Sequence, residues 1–432
     1  MTPPAVRPDL RLTAGEAAML AGRAGEAAAM CMRIVTGVAR ASGAERLQPV
    51  VSAHADGCLY HGVAGLDFTE RLVELGGKVA VRTTLNVGSL DLLHPGLVRA
   101  DPTLATNGRR LMDAHVALGC EQTWSCAPYQ SGHRPARGAH VAWAESNAIT
   151  FVNSVLGARS DRYGDFLDIA AAITGRVPYA GLHRDQARRA TMVLDFSAVP
   201  ERVLAHDAAW PAIGAFLGAR AGTRVAALTG LPGDLADGGV TEDRLKALGA
   251  TAASSGGVAL FHVVGVTPEA PTLDAVLVPG APTVSVRAGD LRAARDQLST
   301  ATGDRLDAVS LGTPHFSLAE FAALADELLT GPVFCPSVDV YVSTSRGVLA
   351  LAEQAGYLAP VLASGARILT DTCTYVTPVL SDHVSVAMTN SGKWAWYAPA
   401  NLGVDTVLGS LRECVASARA GKVVRDDRLW AD

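Results

Sequence analysis

Apolar runs of strand length alternate with helix-length stretches along most of this chain, and run after run stops in a polar loop. Val50-Val51-Ser52-Ala53 leads into His54-Ala55-Asp56-Gly57-Cys58, and Lys78–Arg82 into Thr83-Thr84-Leu85-Asn86. Ala308–Leu311 precedes Gly312-Thr313-Pro314-His315, Val338–Val342 precedes Ser343-Thr344-Ser345, and Ile368–Thr370 precedes Asp371-Thr372-Cys373. A chain built this way folds as α/β layers, with mostly parallel sheets and helices on both faces. Hydrophobic residues make up 49% and aromatics only 5%, so the apolar mass is Ala, Val and Leu. That is the content of helix-covered parallel sheets rather than of β-sandwiches. With 432 residues, two or three lobes are expected.

Thr13-Ala14-Gly15-Glu16 is a capping-box pattern that opens a helix running to about Ala41. Further helices are expected at 66–75, 107–118, 145–156, 242–248, 290–299, 317–329, 346–356 and 405–420, with further strands at 224–228, 257–264 and 283–286. The polar stretch 198–210 and the Pro-rich stretch 266–282 suggest lobes at about 13–200, 201–282 and 283–420, between tails at 1–12 and 421–432.

Net charge is −5 and the basic residues are dispersed. No basic stripe exists to neutralise phosphates, so nucleic acid is not the expected partner. No apolar run reaches the roughly 18 residues of a membrane span, and the N-terminus shows no signal-peptide core. Seven cysteines at irregular spacing are not a disulfide framework. A reducing cytoplasm is the expected setting, where thiols are free, ligands or nucleophiles.

In open α/β sheets ligands bind beyond the C-terminal strand ends, so the polar strand-end loops are expected to converge on one site. Cys31 and Cys414 fall on apolar helical faces and Cys335 near a strand start, as small hydrophobes do. Cys58, Cys120, Cys126 and Cys373 sit in polar loops, where iron–sulfur ligands arise. No CxxC spacing strengthens that reading.

The stretch Thr123-Trp124-Ser125-Cys126-Ala127-Pro128-Tyr129 resembles the "TCxPY" signature of the aconitase X family, with Ser125 in place of its Thr. Glu145-Ser146-Asn147-Ala148 with Asn153–Arg159, His262–Ala270, Thr370–Cys373 and Thr389–Lys393 resemble its "ESNA…NSVLGAR", "HxxGxTPEA", "TDTC" and "TNSGK" motifs, in order. The resemblance covers about 12 to 420. It implies aconitase-like stacked α/β/α lobes and a hydro-lyase carrying an iron–sulfur cluster, [2Fe–2S] in preference. It also implies a small swivelling domain, fused or separate; none is visible in this sequence, so a small partner subunit is expected to supply it and the catalytic base. The family has two kinds, one dehydrating cis-3-hydroxy-L-proline and one dehydrating mevalonate 5-phosphate. The latter carries a cysteine in a "GCPH" motif, where this chain has Gly312-Thr313-Pro314-His315. Thr is a poor soft-metal ligand, so the hydroxyproline kind is the closer match. A metal-binding scaffold without turnover is the remaining alternative.

Carried onto this chain, the resemblance makes Cys126 and Cys373 cluster ligands within one shell. Cys58 is the first choice for a third, and Cys120 the second. Dehydration needs a base for the Cα proton, stabilisation of the resulting anion, and help for the departing hydroxide. His54, Asp56, His315 and Lys393 are the candidate catalytic residues, with Lys393 placed to pair the substrate carboxylate. Thr83, Thr84, Asn86, Ser146, Asn147, Asn153, Arg159, Asn390 and Ser391 are candidate substrate contacts. Ser146 and Asn153, at i and i+7, are expected to share a helix face. The expected outcome is an open cleft lined by Thr83, Asn86, Cys126, Asn147, His315, Cys373 and Lys393.

Overall fold

The computed structural model describes residues 9–232 and 241–430; the outermost parts of both expected tails lie outside that range. The first lobe contains β1 (Leu47–Pro49), β2 (Ser52–Ala55), β3 (Arg82–Leu85), β4 (Ala142–Trp143) and β5 (Arg176–Pro178). β2 lies between β3 and β4, all parallel, and β1 pairs with β5 in a separate antiparallel ribbon. The second lobe is a parallel sheet of β6 (Met192–Asp195), β7 (Ala226–Thr229), β8 (Phe261–Val263) and β9 (Thr283–Ser285), ordered β8-β7-β6-β9. The third is a parallel sheet of β10 (Ala308–Phe316), β11 (Asp339–Thr344), β12 (Arg367–Leu369), β13 (Val386–Thr389) and β14 (Asp405–Leu408), ordered β12-β11-β10-β13-β14. The layered α/β architecture with mostly parallel sheets is the one expected.

The expected lobe breaks at 200/201 and 282/283 fall beside strands of one sheet, because β6 and β9 pair with each other. Both are short, four and three residues, so they lack the long apolar run that marks a strand. The stretch 198–210 runs instead into a helix, Ala209–Ala221, nearly all of whose residues are buried. A helix apolar on every side has no periodic stripe to reveal it. The long N-terminal helix is two helices, Ala14–Leu20 and Glu26–Ala41, interrupted by Gly22-Arg23-Ala24-Gly25. The expected helix at 405–420 is β14 followed by the helix Leu411–Ala420.

Helix Glu242–Gly256 joins the lobes. It packs against Ala209–Ala221 of its own lobe, Ser146–Ser154 of the first and Gly392–Leu402 of the third. Among the described residues no helix is long and apolar enough to cross a membrane.

In the first sheet β2 is followed by β3 on one side and β4 on the other; in the third sheet β10 is flanked likewise by β11 and β13. Each is a point where strand order reverses and leaves a crevice past the strand ends. The two crevices meet. Thr370 N donates to Asp91 Oδ2 (2.9 Å), and Gly88 N to Asp371 O (2.7 Å), tying the loop after β3 to the loop after β12.

Candidate active site

The Cys126 loop is anchored along the end of β3. Glu121 N donates to Thr83 O, Ser125 N to Leu85 O, and Leu85 N to Thr123 Oγ1. Trp124 takes a positive φ of 41°, which turns the chain so that Cys126 points inward. The Cys373 loop is held by Asp371, at φ 63°, whose buried carboxylate grips Arg346 Nε (2.7 Å) and Nη2 (2.6 Å) and accepts from Leu92 N. Residues other than Gly at positive φ are uncommon and need such support.

Cys126 and Cys373 pack in one buried patch with Val87, under Tyr375 and Val376. His315 ties the two loops together. Its backbone N–H donates to Cys126 Sγ (3.3 Å), its Nδ1 meets Ser125 Oγ (3.1 Å), and its Nε2 donates to Thr372 O (3.1 Å). Burial lowers its pKa to about 4, so the imidazole is neutral with the proton on Nε2. With both nitrogens engaged, His315 positions the thiol loops and has no nitrogen left for substrate.

Burial pushes the Cys126 thiol up to about 12 and the Cys373 thiol higher still, the latter also through its sulfur neighbour. Thiols so desolvated are inert by themselves; a bound metal deprotonates its thiol ligands outright. The pair suits an iron–sulfur group: two soft ligands in a dry patch, one sulfur receiving His315 N–H and the other lying against the N–H groups of Tyr375 and Val376. A third thiol does not join them. Cys58 Sγ faces the carbonyls of Ala55, Asn86 (3.3 Å) and Val87 and packs in the separate core beside Cys120. Oxygens that accept from a thiol keep it protonated. Cys58, the expected third ligand, packs with Cys120 in that core rather than in the Cys126–Cys373 patch. Among the described residues no group of three His, Cys, Asp or Glu is arranged to hold a metal ion.

Val87, Tyr375 and Val376 roof the thiol patch and also form the wall of a pocket of about 340 Å³. Asp56, Asn86 and Glu145 enter it from the ends of β2, β3 and β4; Lys393 and Tyr375 enter from the third sheet. Glu145 sits at φ 69° as the N-cap of helix Ser146–Ser154, accepting from Ala148 N at 2.7 Å. Its other oxygen holds Lys393 Nζ in a buried ion pair. Burial works against the Lys393 charge, but Glu145, Tyr375 and Cys126 outweigh it and its pKa is raised. Asp56 lies on a turn fixed by Asp168, which accepts from Asp56 N (2.7 Å) and Gly57 N (3.0 Å). Burial raises the Asp56 carboxyl to about 7.

The structure divides the sequence-predicted residues. Asp56, Asn86, Ser146 and Lys393 line the pocket. Cys126, Cys373, His315 and Asn147 lie directly behind its wall; Asn147 Nδ2 bonds Cys126 O and Tyr129 OH, leaving its buried Oδ1 without a donor. Of the seven residues expected to line an open cleft, Asn86 and Lys393 line the pocket, while Thr83, Cys126, Asn147, His315 and Cys373 are buried outside it. His54 is not in it, because β-strand alternation turns it beneath the sheet, where Thr84 Oγ1 links His54 Nδ1 (2.9 Å) to His133 Nδ1 (2.8 Å) beside Trp143. Thr83 bonds Val81 O, and Thr84 is used in that buried chain. Asn153 does not share the Ser146 face toward the pocket. Its atoms bond Ser160, Ala259 O and Arg188, so it is structural. Arg159 is spent on Asp185 and His183 O at another surface. Ser391 caps helix Gly392–Leu402 and donates to Thr313 O, while Asn390 lines a different pocket with Lys246 and Thr313. Sequence reasoning missed Glu145, Asp165, Tyr375, Tyr397 and Asn401 as pocket residues. Glu145 stood in a quoted motif, and the opposite charge of Lys393 was the signal that could have assigned it.

The Aconitase X first, second and third domain families match residues 9–186, 190–296 and 306–420. The cis-3-hydroxy-L-proline dehydratase of Pseudomonas aeruginosa is 41% identical, over 95% of this chain and 70% of that protein. The protein of that name from Hypocrea jecorina is 37% identical, over 95% and 69%. The phosphomevalonate dehydratase large subunit of Methanothermobacter thermautotrophicus is 37% identical, over 91% and 94%. The crystal structure of Thermococcus kodakaraensis aconitase X (holo-form) superposes with a TM-score of 0.83 at 31% identity, over 95% of this chain and 100% of that one.

Proposed function

The chain belongs to the aconitase X family, and on that premise we propose that it is a hydro-lyase that dehydrates cis-3-hydroxy-L-proline. In this reading it acts in the cytoplasm as a large subunit with a small swivelling-domain partner. An iron–sulfur cluster is held by Cys126 and Cys373, with [2Fe–2S] our preferred form. The observation that carries the reading is the pocket that stacks Lys393, Glu145, Asp56 and Asn86 directly over the buried thiol pair. Two relatives named for this activity, at 41% and 37% identity, support the substrate. The large subunit matched over 94% of its length supports the partner.

In the reaction the Cα–H bond breaks to a base, the C3–O bond breaks with release of water, and a Cα=C3 double bond forms. Lys393, kept charged by Glu145, takes the substrate carboxylate and stabilises the negative charge that develops there as the proton leaves. Cys126 and Cys373 would hold the cluster, which would supply Lewis-acid help for the departing hydroxyl. His315 keeps the two thiol loops in register. Ser146, half-buried at the pocket wall, offers a hydroxyl to a substrate oxygen. The partner supplies the base and covers the side of the pocket where His61 and Asn401 are exposed.

A mevalonate 5-phosphate reading meets an obstacle: the pocket carries Asp56, Glu145 and Asp165 against one lysine, a poor reception for a phosphate dianion. The test is turnover of both compounds by the anaerobically prepared chain, with and without the candidate small subunit. Turnover of cis-3-hydroxy-L-proline by the pair alone is expected. Turnover of mevalonate 5-phosphate instead would overturn the substrate, and full activity of the single chain would overturn the partner.

A further inference from the structure

Glu145 and Lys393 neutralise one another, which leaves Asp56 and Asp165 as the acidic groups of the pocket without a cationic partner there. Lys393 is the one lysine or arginine among the described residues that line the pocket. Asn86 joins them. It is 4% exposed, its Nδ2 donates to Asp56 Oδ1, and its Oδ1 is buried with no donor. The orientation of this amide follows from its partner: above about pH 7, to which burial raises it, the Asp56 carboxyl is ionised and only accepts. Asp56 keeps its second oxygen as an acceptor, and Asn86 a buried carbonyl oxygen that accepts from no donor. The backbone beneath each is anchored. Asp56 is held through its backbone by Asp168, and Asn86 N donates to Ala55 O at 2.9 Å.

Two fixed acceptors backed by carboxylate charge match a cation with two N–H bonds. We propose that Asp56 and Asn86 are the specificity-determining residues for a secondary ammonium, the ring nitrogen of a cyclic amino acid, each accepting one of its two N–H bonds. This rests on the dehydratase reading above and deepens it. The pocket then reads a zwitterion by its two ends, the carboxylate at Lys393 and the ammonium at Asp56 and Asn86. A substrate with the same hydroxyl and carboxylate but no ammonium leaves both acceptors buried and unpaired, the situation that rejects analogues most strongly.

The test compares L-proline with cyclopentanecarboxylate, its counterpart lacking the nitrogen, as inhibitors of cis-3-hydroxy-L-proline turnover by the chain and its small subunit. L-Proline should inhibit about 10- to 100-fold more tightly, as charge-assisted hydrogen bonds imply. Asp56→Asn should raise KM by a similar factor with a smaller change in kcat, and should erase the preference for L-proline while leaving the melting temperature in place. Equal inhibition of the unaltered enzyme by the two compounds would overturn the proposal without needing any variant. An Asp56→Asn enzyme that keeps the preference would overturn it too. If cis-3-hydroxy-L-proline is not turned over, the dehydratase reading falls. Calorimetric titration of the same two ligands then decides the ammonium claim by itself, with selective binding of L-proline sustaining it and equal binding refuting it.

Discussion

Lys393 depends on a residue 248 positions away. Its ion pair with Glu145 is buried on both sides, 4% exposed each, and breaking such a pair leaves an uncompensated charge that costs about 3–5 kcal/mol. Lys393→Met should lower stability by that amount in urea unfolding, and adding Glu145→Gln should recover most of it; an unchanged midpoint for the single variant would refute the pairing. His115 offers a pH test outside the site. Its Nδ1 donates to Leu111 O (3.0 Å), its Nε2 is buried without a partner, and burial lowers its pKa to about 4 from 6.5. The folded state therefore keeps it neutral while the unfolded chain protonates, so its contribution is complete above pH 6.5 and is lost as pH falls toward 4. The loss approaches roughly 3 kcal/mol. His115→Gln should flatten that part of the stability profile; an unchanged slope would contradict it. Lys393 was legible in the sequence as a cation in a loop of donors. Glu145 stood in the motif beside Ser146, but its pairing with Lys393 was not legible, because nothing local ties residues 248 positions apart.

At the scale of elements, the legible part was the set of strands that end in polar loops, since a long β-branched run followed by Gly, Thr or Asp punctuates itself. The strands β2, β11 and β12 fall close to their expected places, whereas β3 (Arg82–Leu85) and β10 (Ala308–Phe316) run through the expected loops Thr83–Leu85 and Gly312–His315. β4, β6 and β13 did not announce themselves: β4 has two residues and the other two have four each, too few for a period. β14 has four residues and was absorbed into a helix. The site paid for the same blindness at His54, whose strand alternation could be read only once β2 was fixed in register with β3. Gly312 shows how tightly these elements meet. It sits at φ 85°, and a side-chain carbon there would collide with the carbonyl oxygen of Ser343 on the neighbouring strand. Gly312→Ala should displace the Thr313–His315 segment, cost more than about 1 kcal/mol, and weaken retention of any group on Cys126. A variant with native stability and unchanged metal content would show that the loop tolerates the shift.

Across the whole molecule, three sheets meet through helix Glu242–Gly256, and the first and third turn their C-terminal edges toward one pocket. Thiols 247 positions apart in sequence (373 − 126) become neighbours because each rides a loop from one of those edges. Among the described residues, Cys58 packs in the first lobe's own core and not in that patch. Iron K-edge X-ray absorption, with iron quantified on the anaerobically purified protein, tests this arrangement most directly. Iron with sulfur neighbours is expected, lost in Cys126→Ser and in Cys373→Ser but kept in Cys58→Ala. Iron that survives both serine variants, or that departs with Cys58, would contradict the assignment of the buried pair as its holder.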